Sequence, residues 1–206
     1  MTLLEELPRG PDCGRSIPVL DTKRLTLRAP RLEDAKAIAV LANDRRIAEN
    51  TARIPHPYRL TDAETFIAGA NCAGGEAVFL ITLRDGPGKG TIIGACGIAM
   101  PESQAPELGY WLGTAYWGNG FATEAVHAVI DHVFTEFDHA ALHAGARVTN
   151  PASRRVLEKC GFQWTGVGLY RIRAINSSAP IDRFRLERGI WSAIKDWGRG
   201  KVRKGQ

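Results

Sequence analysis

The sequence predicts a single α+β domain in which helices flank a mostly antiparallel sheet. Three observations support this fold class. Segments at 24–30, 77–85 and 91–100 have the apolar content and spacing of strands, and the last two flank a glycine-rich turn. Apolar residues recur with a helical period over 121–137. A strand–helix–strand unit at 107–148 interrupts the antiparallel pattern, because its two strands can run parallel.

The N-terminal half is predicted to supply one strand, two helices and a hairpin. Apolar residues at helical spacing place the first helix at 31–44. The second helix, at 62–71, is predicted to begin with a capping box in which Thr61 caps and Glu64 reaches back. The turn at 86–90 then joins the two hairpin strands.

The C-terminal half is predicted to alternate strands and helices before it ends in two strands. The predicted strands cover 106–113, 141–148, 162–175 and 181–191, and the helices cover 121–137 and 150–160. Gly161 is expected to stop the second of these helices. Three aromatic side chains, Tyr110, Trp111 and Trp164, are predicted to lie in the core rather than to form a stacking platform.

Length and composition fit one domain of moderate size. The chain has 206 residues, of which 44% are hydrophobic and 24% are charged. We predict an irregular N-terminal extension at 1–18, the folded domain at 19–197 and a basic tail at 198–206. No apolar run approaches the ~18 residues that a membrane helix needs. Because the N-terminal segment carries acids and lacks a continuous apolar stretch, it does not resemble a signal peptide, and we predict a cytoplasmic protein without a membrane partner.

The distribution of charge does not favour a nucleic-acid partner. The formal net charge is +5. Acidic and basic residues balance up to residue 180, so the whole excess lies in the last segment. Nucleic-acid binding surfaces usually combine basic residues with aromatic side chains or a known motif along one face. A solvated, frayed tail is the interpretation that we favour.

The cysteines predict neither a metal site nor a disulfide framework. Cys13, Cys72, Cys96 and Cys160 form no C-x-x-C pair, and no histidine stands at ligand spacing to them. Cys96 lies within an apolar run and is predicted to be a small buried residue.

The segment YWGNGFATEA, at 116–125, follows a strand and opens a helix. Glycines allow the backbone to approach a ligand closely, and the first N–H groups of a helix have no partner inside it. These features are typical of an anion site at the positive end of the helix dipole. A tight turn without a ligand would use the same residues, so this segment alone leaves both interpretations open.

Known nucleotide motifs do not fit this segment or the earlier glycine-rich turn. The dinucleotide fingerprint needs Gly or Ala where Thr123 stands, and it needs an acid where the next strand ends in Asn150. The P-loop needs Ser or Thr after Lys89, where Gly90 stands, and glycine where Leu83 stands.

Two motifs together resemble the GNAT family of acyl-CoA-dependent N-acyltransferases. ELGYWLGTAYWGNGFATEA is followed about thirty residues later by VTNPASRRVLEKCGF. The pair is most similar to the RimJ/RimL-type branch, and the resemblance covers residues 21 to about 197. It implies a GNAT-type mixed sheet, mostly antiparallel, whose strands splay at the acyl-CoA site. The family's Gln or Arg at the start of the phosphate loop is Trp117 here, as is common in the branch.

The resemblance implies acetyl-CoA as cosubstrate, no metal, and a set of binding residues. The pyrophosphate would bind the loop, and pantetheine would pair with the Leu112 backbone and with Asn150. The implied cofactor-binding residues are Leu112, Trp117, Gly118, Asn119, Gly120, Phe121, Ala122, Thr123, Asn150 and Ser153. Asn150 is also a candidate N-cap for the helix that begins at Pro151.

Glu107 and Ser153 are the implied catalytic residues. The amine must lose a proton before it attacks the thioester, and Glu107, at the start of its strand, is the candidate base. Ser153 would assist departure of the thiolate. A solvated acid and a first-turn helix serine are the corresponding structural interpretations.

The implied function is transfer of an acetyl group from acetyl-CoA to a primary amine, either a protein N-terminus or a small molecule. A CoA-binding sensor or interaction module without catalysis is the alternative, as is an enzyme for longer acyl groups. The acceptor cannot be read from the motifs, and a homodimer is a possible assembly.

Overall fold

The computed structural model describes residues 17–70, 76–99 and 106–202, and it confirms the α+β fold class. The strands are β1 Leu20–Asp21, β2 Leu25–Arg28, β3 Glu76–Leu83, β4 Ile92–Ala99, β5 Glu107–Leu112, β6 Ala141–Arg147, β7 Gln163–Ile172 and β8 Ser177–Glu187. The helices are α1 Ala35–Ala42, α2 Arg45–Ala48, α3 Leu60–Ala70, α4 Phe121–Glu136, α5 Pro151–Lys159 and α6 Arg188–Val202. Short 3-10 turns lie at Leu32–Asp34, Thr114–Tyr116 and Arg173–Ile175.

The strands form one sheet in the order β1-β2-β3-β4-β5-β6-β8-β7. All neighbours are antiparallel except β5 and β6, the strands that flank α4. A crossover helix between parallel strands is the connection that such pairs need. The predicted strand–helix–strand unit is therefore confirmed.

The two parallel strands stay together over a short distance only. Their register contains the pairs Glu107↔His143 and Leu108↔Ala144, although both strands continue beyond them. On their other sides, β5 is paired with β4 up to Leu112, and β6 is paired with β8 up to Arg147. The C-terminal halves of β5 and β6 therefore diverge and leave a V-shaped gap in the sheet, which we call the β5–β6 gap.

The sheet has an apolar core on each face. The larger core packs α4 against β2–β6 and β8 through fully buried side chains, among them Phe79, Phe134 and Phe184. A smaller core packs α1 and α3 against β3 and β4, and Trp111 lies against it. We call these two sides the α4 face and the α1 face. Tyr110 packs against the larger core, so the predicted positions of Tyr110 and Trp111 are confirmed.

The C-terminal helix α6 was missed by the sequence prediction. The last strand ends at Glu187 rather than at residue 191, and α6 continues into the segment predicted as the tail. The Arg188 guanidinium holds this junction, because it donates to the carbonyl oxygens of Phe134, at 2.7 Å, and of His139, at 2.9 Å. Trp191 then packs on the larger core and donates its indole N–H to Asp131.

Two local predictions were also wrong. Helix α3 begins at Leu60, and the Asp62 carboxylate accepts the Arg59 N–H at 2.8 Å, so Thr61 is not the cap. Trp164 is 53% exposed, because β7 is an edge strand and its indole N–H reaches across to Asp182. By contrast, Cys96 is buried as predicted, and burial raises the pKa of its thiol.

Several predictions fall outside the described residues. Cys13, Cys72, nearly all of the predicted extension and the end of the basic tail belong to this group. Within the described part of the chain, no helix combines the length and the apolar character that crossing a bilayer requires.

Candidate active site

The backbone of β5 presents hydrogen-bonding groups to the β5–β6 gap. The Gly113 N–H donates to Ile93 of β4 at 2.8 Å. Because successive residues of a strand direct their N–H and C=O groups to opposite sides, those of Leu112 face away from β4 and toward the gap. The Leu112 carbonyl accepts the Trp117 indole N–H at 2.8 Å, so the predicted strand-like partner of pantetheine lies at the top of the gap.

The loop between β5 and α4 has the geometry of an anion site. Gly118 and Gly120 both have positive φ, 77° and 76°, a conformation that favours glycine. Among the described residues, the backbone N–H groups from Gly118 to Thr123 find no acceptor, and the first that does is the Glu124 N–H, which bonds the Gly120 carbonyl at 3.1 Å. A run of free N–H groups at the positive end of a helix is suited to binding phosphate oxygens.

A side-chain clamp from the connection between β1 and β2 holds this loop. The Arg24 guanidinium donates through Nη1 to the Asn119 carbonyl at 2.9 Å and through Nε to the Glu124 carboxylate at 2.7 Å. It also lies over the Phe121 ring, 4.6 Å from its centroid. The sequence indicated no side-chain cation at the loop, because Trp117 occupies the Gln or Arg position. Arg24 instead reaches it from the bend before β2, almost a hundred residues earlier.

Glu124 is the centre of the clamp. Its carboxylate accepts the Thr22 hydroxyl at 2.7 Å and the Arg24 backbone N–H at 2.8 Å, besides the guanidinium. Burial raises the pKa of this carboxyl, but the hydrogen bonds from Thr22 and Arg24 outweigh burial and hold it below its ordinary value. Glu124 is therefore ionised and fixed at the start of α4.

Glu107 lies at the closed end of the β5–β6 gap and is half-buried. Its Oε1 lies 3.9 Å from the position that a Cβ on Gly145 would occupy, so the carboxylate extends over β6 on the α1 face. The open space above Gly109, where an added Cβ would contact nothing within 4 Å, adjoins it on the same face. This placement suits a base that meets its partner from the α1 face.

Ser153 lies on the opposite side of the sheet, in the first turn of α5. Its N–H donates to the Asn150 Oδ1 at 3.1 Å, so Asn150 is the predicted N-cap, with its side-chain NH₂ left for another partner. The Ser153 Oγ lies 2.8 Å from the Tyr110 hydroxyl, and this hydroxyl also donates to the Ser153 carbonyl at 3.1 Å. The serine hydroxyl is therefore placed by β5 and not by its own helix.

Tyr110 is a site residue that the sequence analysis assigned to the core only. Burial raises the pKa of its phenol, which keeps its proton, and the bond from Ser153 opposes this rise. The signal was present in the alternation of β5, because Tyr110 shares a face with Leu108 and Leu112 and so with the α5 side. The sequence did not show that the Tyr110 hydroxyl would meet Ser153 on α5.

The structure places the two predicted catalytic residues on opposite faces of the β5–β6 gap. Glu107 is on the α1 face, and Ser153 with Tyr110 is on the α4 face. Arg154, in the same helix, pairs with Glu158 at 2.8 Å, so a contact with cofactor phosphates would have to compete with that pair. Among the described residues, no cluster of three or more metal-ligating side chains is present.

Residues 24–163 match the family described as the acetyltransferase (GNAT) domain. The chain belongs to this family. A relative from Bacillus licheniformis, described as the uncharacterized N-acetyltransferase p20, is 32% identical over 152 residues, which are 72% of this chain and 84% of that protein. The family resemblance of the sequence motifs is thereby confirmed.

Solved structures share the fold at low identity. RimL, a ribosomal L7/L12 α-N-protein acetyltransferase in complex with coenzyme A, matches with a TM-score of 0.70 at 17% identity, over 82% of this chain and 98% of that chain. Spermidine N-acetyltransferase from Vibrio cholerae, in complex with CoA and spermine, matches with a TM-score of 0.68 at 21% identity, over 82% and 99%. These two proteins differ in acceptor, so the fold does not identify the acceptor of this chain.

Proposed function

We propose that this protein transfers the acetyl group of acetyl-CoA to a primary amine by direct attack of the amine on the thioester. One observation carries the proposal, namely that Glu107 and the Tyr110–Ser153 pair lie on opposite faces of the β5–β6 gap. A thioester held in the gap would meet a base on one side and a hydroxyl donor on the other.

The two ends of the bound cosubstrate would be held by different parts of the chain. The pyrophosphate would accept hydrogen bonds from the loop N–H groups between Gly118 and Thr123. Pantetheine would lie along the gap, where the Leu112 N–H and the Asn150 side-chain amide can bond its amides. In this arrangement the thioester would lie near the closed end of the gap, beside Glu107.

Each catalytic group has a separate step. The acceptor amine reaches the thioester from the α1 face, and Glu107 accepts its proton, directly or through a water. The carbonyl oxygen gains charge as the tetrahedral intermediate forms, and backbone N–H groups of β5 that face the gap can stabilise it. The thiolate leaves toward the α4 face, where the Ser153 hydroxyl donates a hydrogen bond to sulfur.

A thiol-release assay tests the function. The purified protein is given acetyl-CoA with free amino acids, polyamines or short peptides, and both free thiol and the mass of the acetylated product are measured. We expect release that depends on an added amine. If acetyl-CoA binds in calorimetry but no amine is acetylated, the protein is a CoA-binding sensor and not an enzyme.

In this proposal the enzyme works in the cytoplasm on a soluble amine or a protein N-terminus, with acetyl-CoA and without a metal. The fold of RimL and of spermidine N-acetyltransferase supports both kinds of acceptor.

A further inference from the structure

Glu107 lies among basic and polar side chains on the α1 face of the sheet. The register places His143 directly opposite Glu107, and it places Arg183 of β8 directly opposite Gly145, over which the Glu107 carboxylate extends. Arg147 follows Gly145 by two residues, so it projects to the same face. His143, Arg147 and Arg183 therefore lie on the same face of the sheet as the candidate base.

Glycines keep the floor of this region low. Gly109 leaves open space beside Glu107, whereas the Ile181 side chain lies 2.9 Å from the place that a Cβ on Gly145 would take. Gly168 of β7 lies beneath Arg183, and a Cβ there would overlap the Arg183 guanidinium. Arg183 can therefore lie along the sheet, 5.9 Å from the centroid of the Tyr170 ring. We call the surface formed by Glu107, Gly145, Arg147, Tyr170 and Arg183 the acceptor floor.

The Tyr170 hydroxyl is influenced by two of the charged groups of the acceptor floor, Glu107 and Arg183. Burial raises the pKa of its phenol, Glu107 raises it further, and Arg183 lowers it. Both charges therefore act on the same hydroxyl, and the Arg183 guanidinium lies 5.9 Å from the centroid of the Tyr170 ring.

Arg147 has unused hydrogen-bonding capacity. Its Nη1 donates to the Glu49 carbonyl at 2.8 Å, but its Nε is buried without an acceptor among the described residues. A buried donor without a partner is unfavourable unless a ligand supplies the acceptor. The carboxylate of Glu49 does not offset this charge, because it pairs with Arg45 at 2.5 Å.

We propose that the acceptor is a small primary amine that also carries a carboxylate, as free amino acids do. The inference rests on the proposed function. The amine would lie at Glu107, and the carboxylate would meet Arg183 or Arg147, since guanidinium groups form paired hydrogen bonds to carboxylates. A polyamine would instead place its second ammonium group among these guanidinium groups, and like charges disfavour such a complex.

Matched acceptors test this substrate class. Free amino acids are compared with their own carboxamides, with spermidine and with neutral peptides, by kcat/KM for acetyl transfer. We expect each acid to exceed its amide by about tenfold, equal to ~1.4 kcal/mol. In Arg183→Gln this preference should disappear through a higher KM for the acid, while acetyl-CoA Kd stays constant. Arg171→Gln, on the other face of the neighbouring strand β7, is the matched control and should keep the preference.

A variant that reverses the charge at Arg183 tests the same inference through a gain of activity toward other acceptors. In Arg183→Glu we expect spermidine or the amides to become better acceptors than the acids. Equal rates for acids and amides in the wild type, or a preference for spermidine or neutral peptides, would overturn the proposed class while acetyl transfer itself stands. Absence of thiol release with every amine, whether or not acetyl-CoA binds, would instead overturn the proposed function, and this inference with it.

Discussion

Arg24 and Glu124 form a paired contact that joins the start of β2 to the first turn of α4. The guanidinium Nε and the backbone N–H of Arg24 each donate to one carboxylate oxygen of Glu124, at 2.7 Å and 2.8 Å. The same guanidinium donates to Asn119 inside the phosphate loop. The sequence segments RLTLR and ATEA are far apart in the chain, yet they meet here and set the position of the loop.

Removing the Arg24 side chain should weaken binding of acetyl-CoA through its phosphates. In Arg24→Gln we expect Kd to rise by about tenfold, equal to ~1.4 kcal/mol, because the loop loses both a cation and the bond to Asn119. Acetyl-pantetheine lacks the pyrophosphate, so its kcat/KM should change little. Lys23→Gln removes the same charge from the neighbouring exposed residue and is the control. An equal loss of kcat/KM with acetyl-CoA and with acetyl-pantetheine would show that Arg24 only supports the fold.

The Arg24–Glu124 pair should also make stability depend on acid pH. Because the folded-state pKa of Glu124 is lowered, its contribution is present above the ordinary carboxyl value and is lost as pH falls through the lowered value. At neutral pH, Glu124→Gln should lower Tm by about 2–4 °C, corresponding to ~1 kcal/mol for a domain of this size. The measurement is Tm against pH for both proteins. The two curves should converge in acid, and a constant difference would contradict the assignment.

A side chain at Gly120 should both strain the backbone and hinder the approach of acetyl-CoA to the loop. Its φ is 76°, and Gly90, in the β3–β4 turn, has φ 82°. Gly120→Val and Gly90→Val therefore incur a similar backbone strain of ~1–2 kcal/mol. We expect acetyl-CoA Kd to rise by tenfold or more (at least ~1.4 kcal/mol) in Gly120→Val alone. Similar affinities for the two variants in calorimetry would remove the loop from the cofactor site.

The sequence was sufficient for elements whose own residues determine them. The apolar period of α4 predicted a helix at 121–137, and the helix spans Phe121–Glu136. The start of α6 was not predictable in the same way, because Arg188 is held by carbonyl groups of the α4–β6 connection, about fifty residues earlier. Thr61 failed as a cap because the helix already begins at Leu60, and the Asp62 carboxylate, inside the first turn, accepts the N–H of Arg59 before the helix.

In the candidate site too, features set by local residues were predicted, and those set by distant contacts were not. The loop glycines and the Asn150 cap follow from local sequence, and the structure gives them the expected geometry. Arg24 and Tyr110 could not be assigned, because each acts on a residue distant in the chain, Asn119 and Ser153 respectively. A single sequence records which residues are polar but not which distant partner they meet.

Glu107→Gln tests the general base, because it keeps the shape of the side chain and removes its proton-accepting charge. We expect kcat/KM to fall by about 10²–10⁴-fold, the range typical of such losses. The acidic limb of the pH–rate profile should disappear with it. Glu136→Gln, at the far end of α4, removes an exposed carboxylate and should leave the rate unchanged. A Glu107→Gln enzyme with the wild-type rate and acidic limb would make Glu107 a structural acid.

The hydrogen bond between Tyr110 and Ser153 gives the sharpest test of thiolate departure. The phenol has one hydrogen, which it gives either to the Ser153 carbonyl or to the Ser153 Oγ. When it donates to Oγ, the serine keeps its own hydrogen for sulfur. Ser153→Ala should therefore lower kcat by ~10- to 100-fold, or ~1.4–2.7 kcal/mol, with acetyl-CoA Kd nearly unchanged. Tyr110→Phe should lower kcat less, because the serine remains. The double variant should be no slower than Ser153→Ala, since both act through one hydrogen bond.

Asn150→Ala separates this role from helix stability. Because Asn150 and not Ser153 caps α5, Ser153→Ala should leave Tm almost unchanged, whereas Asn150→Ala should cost ~1 kcal/mol. The measurements are kcat, acetyl-CoA Kd and Tm on all four variants. A lower Tm and weaker Kd in Ser153→Ala, with turnover retained, would make the serine a structural residue. Additive losses in the double variant would show that Tyr110 acts independently of Ser153, most simply by packing against the core that it contacts on the α4 face.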